Sequence, residues 1–179
     1  PFAYTSISTI NIGENVQRIP NYFAYNCDKL TSVTIPNNVT TIGSGAFQGC
    51  SKLTSVTIPN SVTTIEQYTF YKCSKLTSIT IPDGVTSIKS GAFQSCSSLT
   101  SIYILTPTSP VIGNSVFNST PSIKVLIVPV ESTGYSTSWA NTTWASVYSY
   151  LSTEEINYVL TNNGTTYIYS SNNNTEALS

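Results

Sequence analysis

The chain contains no histidine. That removes the usual general base at neutral pH, every Ser-His or Cys-His nucleophile pair and the commonest metal ligand. Charge is also scarce: charged side chains make up 8% of the residues, against roughly 25% in an average soluble protein. The acids are scattered, and the adjacent pair Glu154 and Glu155 shares a face on neither a helix nor a strand, which argues against paired acid/base chemistry. A net charge of −1 lacks the clustered positive field that nucleic acid demands. No run approaches the ~18 apolar residues of a membrane-spanning helix, and no secretory signal is visible. The chain opens inside a repeat, so it is read as a fragment of a longer protein. Ser, Thr, Asn and Tyr take the place of the missing charges, a composition more common on secreted and cell-surface proteins than in the cytosol.

What is present is a repeat. Leu30 begins LTSVTIPNNVTTIGSGAFQGCSK, Leu53 begins LTSVTIPNSVTTIEQYTFYKCSK, and Leu76 begins LTSITIPDGVTSIKSGAFQSCSS, each 23 residues after the last. Ile7 opens an earlier copy on the same period, Leu99 opens a fifth that soon diverges, and Tyr4 falls one period before Cys27. Within a copy, the alternation Val33-Thr34-Ile35 predicts a strand with one buried face. Pro36 cannot donate to a ladder and ends it, and Pro-Asn-Asn, Pro-Asn-Ser and Pro-Asp-Gly follow as turns with Pro set for the first corner. Residues 39–42 form a second short extended segment, and Ala-Phe-x-x-Cys closes the coil as an irregular or single helical turn. One repeat cannot bury its own apolar face, so successive coils must stack.

The pattern L-x-x-V/I-x-I-P-x-x-V-T-x-I-G-x-x-A-F-x-x-C resembles the BspA-like leucine-rich repeat over residues 1–130. The first copy departs from it, since Phe23-Ala24 stands where later copies read Ala46-Phe47, Thr69-Phe70 and Ala92-Phe93. The resemblance implies a surface binding module of adhesin type. The expected fold is a β-rich, right-handed leucine-rich-repeat solenoid of parallel strands with a small C-terminal α/β cap.

Three regions are expected: a solenoid over 1–104, a degenerate repeat and terminal cap over 105–152, and a hairpin with a polar tail over 153–179. Trp144, Val147, Tyr148 and Leu151 sit at i, i+3, i+4 and i+7, which predicts a capping helix begun by Asn141 or Thr142. Tyr135 and Trp139 precede it. Segments 156–160 and 165–169 flank Asn163-Gly164, a two-residue hairpin signal, and residues 170–179 are expected to be disordered.

No residue is assigned a catalytic, cofactor or metal role. The candidate partner surface is the outward face of the first strand: Ser32, Thr34, Ser55, Thr57, Ser78, Thr80, Ser101 and Tyr103, continued by Thr9 and Asn11. It is either a binding face for a protein or glycan or simply a solvated sheet, and the chain is either a binding module or a structural spacer. Cys27, Cys50, Cys73 and Cys96 form a ladder on the repeat period, as buried free thiols or, alternatively, disulfides that parallel side chains suit poorly. Lys29, Lys52 and Lys75 make a stripe, either solvated edge residues or a weak basic field for anionic groups, and Glu66 faces Lys89 across neighbouring coils. Tyr22 and Tyr68 alternate with Gly45 and Gly91, and Tyr25 and Tyr71 with Gln48 and Gln94, so bulky residues in odd coils lie over small ones in even coils or form a tyrosine patch. Asn38, Asn118, Asn141, Asn163 and Asn173 open N-x-S/T sequons.

Overall fold

The computed structural model describes residues 2–121, 125–129, 132–135, 139–141, 146–150, 158–162, 165–169 and 175–177. Each repeat contributes two short strands. The first set is β1 (Thr9–Asn11), β3 (Ser32–Thr34), β5 (Ser55–Thr57), β7 (Ser78–Ile81) and β9 (Ser101–Ile104). The second is β2 (Arg18–Ile19), β4 (Thr41–Ile42), β6 (Thr64–Ile65), β8 (Ser87–Ile88) and β10 (Val111–Ile112). Pairing is parallel, and within the repeats it is in step by one copy, so that Val33 lies beside Val56, Ile42 beside Ile65 and Ile79 beside Ile102. An identical register along the chain is what an identical sequence pattern must produce, because a slip of one residue would turn every Val and Ile outward.

The third side of each coil has no strand. Two tight turns there place residues at positive φ, first Tyr22, Gly45, Tyr68 and Gly91, then Asn26, Gly49, Lys72 and Ser95. Their N–H groups donate to carbonyls of the following coil, as Gly45 to Gln67, Gly49 to Tyr71 and Lys72 to Gln94. The Ala-Phe-x-x-Cys segment is thus a pair of turns and not a helix. Turn backbone that bonds between coils satisfies groups that a closed helical turn would have bonded within itself.

The interior is a set of columns. Leu30, Leu53, Leu76 and Leu99 are fully buried, as are Ile42, Ile65 and Ile88 and the column Phe47, Phe70 and Phe93. Burying side chains of this size contributes roughly 1.5–3 kcal/mol each. The phenyl rings stack nearly parallel: Phe47–Phe70 at 5.7 Å and 6°, Phe70–Phe93 at 5.4 Å and 9°, Phe93–Phe117 at 5.6 Å and 7°.

Several expectations are corrected. The prolines sit at the first position of their turns, not at the corner, since Val39 N–H donates to Pro36 O, Val62 to Pro59 and Val85 to Pro82. Tyr4 N–H donates to Tyr25 O as Asn26 N–H does to Gln48 O, so Tyr4 is the counterpart of Asn26 and not of Cys27. The fifth coil is one residue longer than its predecessors, because Val111 lies beside Ser87 and Val125 beside Ser101.

Beyond it, β11 (Val125–Pro129) pairs parallel with β9, and a short 3-10 segment at Trp139–Asn141 follows. The expected capping helix is not formed. β12 (Ser146–Tyr150) is a strand in parallel register with β11, Val147 opposite Leu126 and Tyr148 opposite Ile127. Ser-Val-Tyr-Ser-Tyr mixes β-branched and aromatic residues that favour extended backbone, and the free edge of β11 supplies a template for it. A short apolar pattern cannot by itself separate the two outcomes. Trp144, Leu151, Thr142, Glu154 and Glu155 lie outside the described residues.

At the C-terminus β13 (Tyr158–Asn162) pairs antiparallel with β14 (Thr165–Tyr169), Asn162 opposite Thr165. Asn163 and Gly164 lie outside the described residues. Part of the tail expected to be disordered, β15 (Thr175–Ala177), adds to β14 as a third strand. No helix of the described residues is long and apolar enough to cross a membrane.

Candidate functional site

On the first strand set, alternation puts one residue in the core and its neighbours outside. Ser32, Thr34, Ser55, Thr57, Ser78 and Thr80 are all exposed. The pairing brings them into rows, with Thr9 beside Ser32 beside Ser55, and Asn11 beside Thr34 beside Thr57. Ser78 lies beside Ser101 and Thr80 beside Tyr103. The rows fall in two sheets, β1-β3-β5 and β7-β9-β11-β12, and at the junction Val56 is half-buried where Val33 and Ile79 are buried. The surface is therefore two adjoining hydroxyl patches, with the bonded ladder interrupted between β5 and β7.

The second patch closes toward the C-terminus. Ser101 and Tyr103 are half-buried, and burial pushes the Tyr103 phenol up in pKa while a hydrogen bond with Ser101 pulls it down. Ile127, which pairs with Tyr103 on the adjoining strand, is only 1% exposed. Threonine hydroxyls beside the strands bond along the solenoid, as Thr54 Oγ1 to Thr31 O and Thr100 Oγ1 to Thr77 O. These hydroxyls are held in place, whereas those of Ser32, Thr34, Ser55, Thr57, Ser78 and Thr80 stand out toward solvent.

The four cysteines are buried free thiols. Each thiol donates to a carbonyl of the preceding coil: Cys27 to Phe2 at 2.9 Å, Cys50 to Ala24 at 3.1 Å, Cys73 to Phe47 at 3.3 Å and Cys96 to Phe70 at 3.1 Å. Sequence reasoning missed this bond, because the acceptor is a backbone carbonyl just over one period upstream, and a backbone group leaves no mark in the side-chain pattern. Burial pushes the Cys50 and Cys96 thiols up to about 12 and holds Cys73 well above its ordinary value. A thiol so held is neither nucleophile nor metal ligand.

Lys29, Lys52 and Lys75 are exposed. Among the described residues the salt bridge is Lys29 Nζ to Asp28 at 3.4 Å, and Glu66 does not pair with Lys89. Lys89 is exposed and Glu66 half-buried, and an ion pair so near the surface offers too little to order them. Among the described residues, no three acidic or thiol side chains gather to hold a metal.

The tyrosines stand as the alternation predicts. A Cβ on Gly45 would lie 2.7 Å from Cδ1 and Cε1 of Tyr22, and one on Gly91 would collide with the same ring atoms of Tyr68. Tyr22 meets Tyr25 edge to face at 5.7 Å, and Tyr68 meets Tyr71 at 5.5 Å. Near the end of the solenoid, Tyr135 Oη lies 2.7 Å from Thr106 Oγ1 and donates to Thr106 O, tying the closing segment to the fifth coil.

A family model described as the BspA type leucine rich repeat region matches residues 1–124 in six copies. The chain belongs to the BspA-type leucine-rich-repeat family. No curated protein matches it. Among solved structures, this BspA-type chain resembles a leucine rich cell surface protein from Faecalibacterium prausnitzii, at 28% identity and a TM-score of 0.57 over 84% of the chain. It spans 35% of that protein. The T. pallidum leucine rich repeat protein shares the fold at 22% identity and a TM-score of 0.61, with 80% of this chain and 70% of that one covered. The pneumococcal vaccine antigen PcpA shares it at 17% identity and a TM-score of 0.63, over 84% of this chain and 43% of PcpA.

Proposed function

We propose that the chain is a non-enzymatic binding module of a longer bacterial cell-surface protein, holding a protein partner on its outward hydroxyl face. One observation carries the reading: the exposed side chains of β3, β5 and β7 at Ser32, Thr34, Ser55, Thr57, Ser78 and Thr80 are all hydroxyls, set in rows by strand pairing between β3 and β5 and again from β7 to β9. A neutral, flat, repetitive face presents donors and acceptors at the inter-strand spacing of ~4.8 Å without the cost of desolvating charge. Membership of the BspA-type family and likeness to a cell-surface protein support an extracellular setting. The absence of histidine supports a role without catalysis.

The test is a binding screen of the purified chain against extracellular-matrix and cell-surface proteins, followed by Thr34→Lys and Thr57→Lys on any partner found. Both variants should fold normally and weaken binding by roughly tenfold or more, about 1.4 kcal/mol. Affinity should change little between low and physiological salt, since few ion pairs are available to screen. Full affinity in both variants would overturn the assignment of this face, and an absence of partners would favour a spacer.

A further inference from the structure

The third side of the solenoid carries a feature the hydroxyl face does not use. Tyr68 and Tyr71, from one coil, stand between Gln48 of the coil before and Gln94 of the coil after, and the four side chains line an open cleft of about 240 Å³. The turn glycines beside it shape its walls. Gly45 and Gly91 sit at φ +60° and +64°, and a Cβ on either would stand 3.1 Å from the amide oxygen of Gln48 or Gln94. The glycines thus let a tyrosine ring from one side and an amide from the other approach the same patch of backbone.

The same set recurs two coils earlier, where Tyr22 and Tyr25 precede Gly45 and Gln48. Tyr22 is 54% exposed and Tyr68 39% exposed, although both are large enough to have been buried. Along the axis the surface therefore reads tyrosine pair, glycine with glutamine, tyrosine pair, glycine with glutamine. At ~4.8 Å per coil, equivalent stations lie ~9.6 Å apart.

We infer that this side is a binding groove for an extended neutral polysaccharide lying along the solenoid axis. Sugar rings carry apolar C–H faces and equatorial hydroxyls, so they are recognised by aromatic rings together with planar amides that donate and accept at once. The cleft offers both and is lined by no ionised group. Lys72, next in sequence to Tyr71, is engaged over the Tyr71 ring at 5.2 Å. The volume suits a single ring at each station and not a bulky ligand. The two-coil period is close to the repeat of two sugar rings in an extended β-linked chain, so alternate rings would rest on tyrosine and the others against glutamine. This groove lies on a different side from the hydroxyl face and does not depend on it.

The test uses the intact chain in affinity electrophoresis through gels containing neutral β-linked glucans, mannans and xylans, then calorimetry with β-1,4-linked hexasaccharides and disaccharides of the retarding sugar. At least one neutral polysaccharide should retard the chain, and its hexasaccharide should bind at least about tenfold more tightly than its disaccharide because two stations are engaged. Tyr68→Ala should weaken hexasaccharide binding by roughly tenfold or more, as loss of an aromatic anchor does. Tyr68→Phe should keep most of the affinity, Gln94→Leu should lose part of it, and Thr57→Lys should change nothing. Each variant is first shown to melt as the parent does. No retardation by any neutral polysaccharide, or binding that survives both Tyr68→Ala and Gln94→Leu, would overturn the proposal. So would equal affinity for the hexasaccharide and the disaccharide, or loss of binding in Thr57→Lys, which would move the sugar to the hydroxyl face. Capture of a protein partner that Tyr68→Ala abolishes, with no saccharide bound, would assign the groove to protein instead.

Discussion

The middle coils and the two ends solve the same problem differently. From Phe47 to Phe117 the rings stack within 6° to 9° of parallel. At the N-terminal end Ala24 occupies the buried phenylalanine station, and Phe23, half-buried beside it, meets Phe47 edge-on at 6.2 Å and 78°. At the other end Trp139 tilts 48° against Phe117. A coil with a neighbour on both sides can repeat its packing, because both faces see the same shape. A terminal coil meets something different on one side, and its side chains depart from the repeat there.

Removing one ring from each region should sharpen that contrast. Phe70→Ala opens a hole between two stacked phenyls that the coil cannot close and should cost about 3–5 kcal/mol. Phe23→Ala removes a half-buried ring from the end and should cost about 1 kcal/mol. Chemical denaturation of both variants reads the difference. Equal losses would mean that the column is no better packed in the middle than at its end.

The thiol column supplies a pH test. The Cys50 and Cys96 thiols, raised to about 12 from an ordinary value of 9.0, are protonated in the fold and ionise earlier in the unfolded chain. The unfolded state therefore binds fewer protons above that ordinary value, so stability is complete below pH about 9 and falls as the pH climbs toward 12. Each such thiol contributes a slope approaching 1.4 kcal/mol per pH unit in that window. Urea melts at pH 8 and pH 10 should show the drop, and Cys50→Ala should reduce it. A flat profile would mean that the thiols reach solvent or are not donating to the carbonyls.

Much of this was legible in the residues. The period named the coil, the alternation in Val33-Thr34-Ile35 named the inward and outward faces, and the Tyr22–Gly45 and Tyr68–Gly91 pairs named which side chains overlap between coils. What the residues concealed has a common cause. The thiol–carbonyl bond, the extra residue of the fifth coil and the strand at Ser146–Tyr150 each depend on what a neighbouring coil presents. Tertiary context decides such positions, and a short pattern such as Val147, Tyr148 carries no record of it. The hydroxyl face was legible as a set of positions, but its division at Val56 was not, because Val56 matches Val33 in every local respect.

The central claim is that each repeat is one coil, so that equivalent residues lie in rows one strand apart. Spin labels on exposed introduced cysteines measure it, and the native thiols do not interfere, because all four are fully buried. Pairs placed by substitution at Ser32 and Ser55, Ser32 and Ser78, and Thr9 and Ser78 are one, two and three repeats apart on the 23-residue period. Electron paramagnetic resonance should return mean separations that rise by about 4.8 Å per coil across the series. Separations that fail to rise in that order, or that jump by far more than a strand spacing between one pair and the next, would contradict the stacked solenoid and every surface built on it.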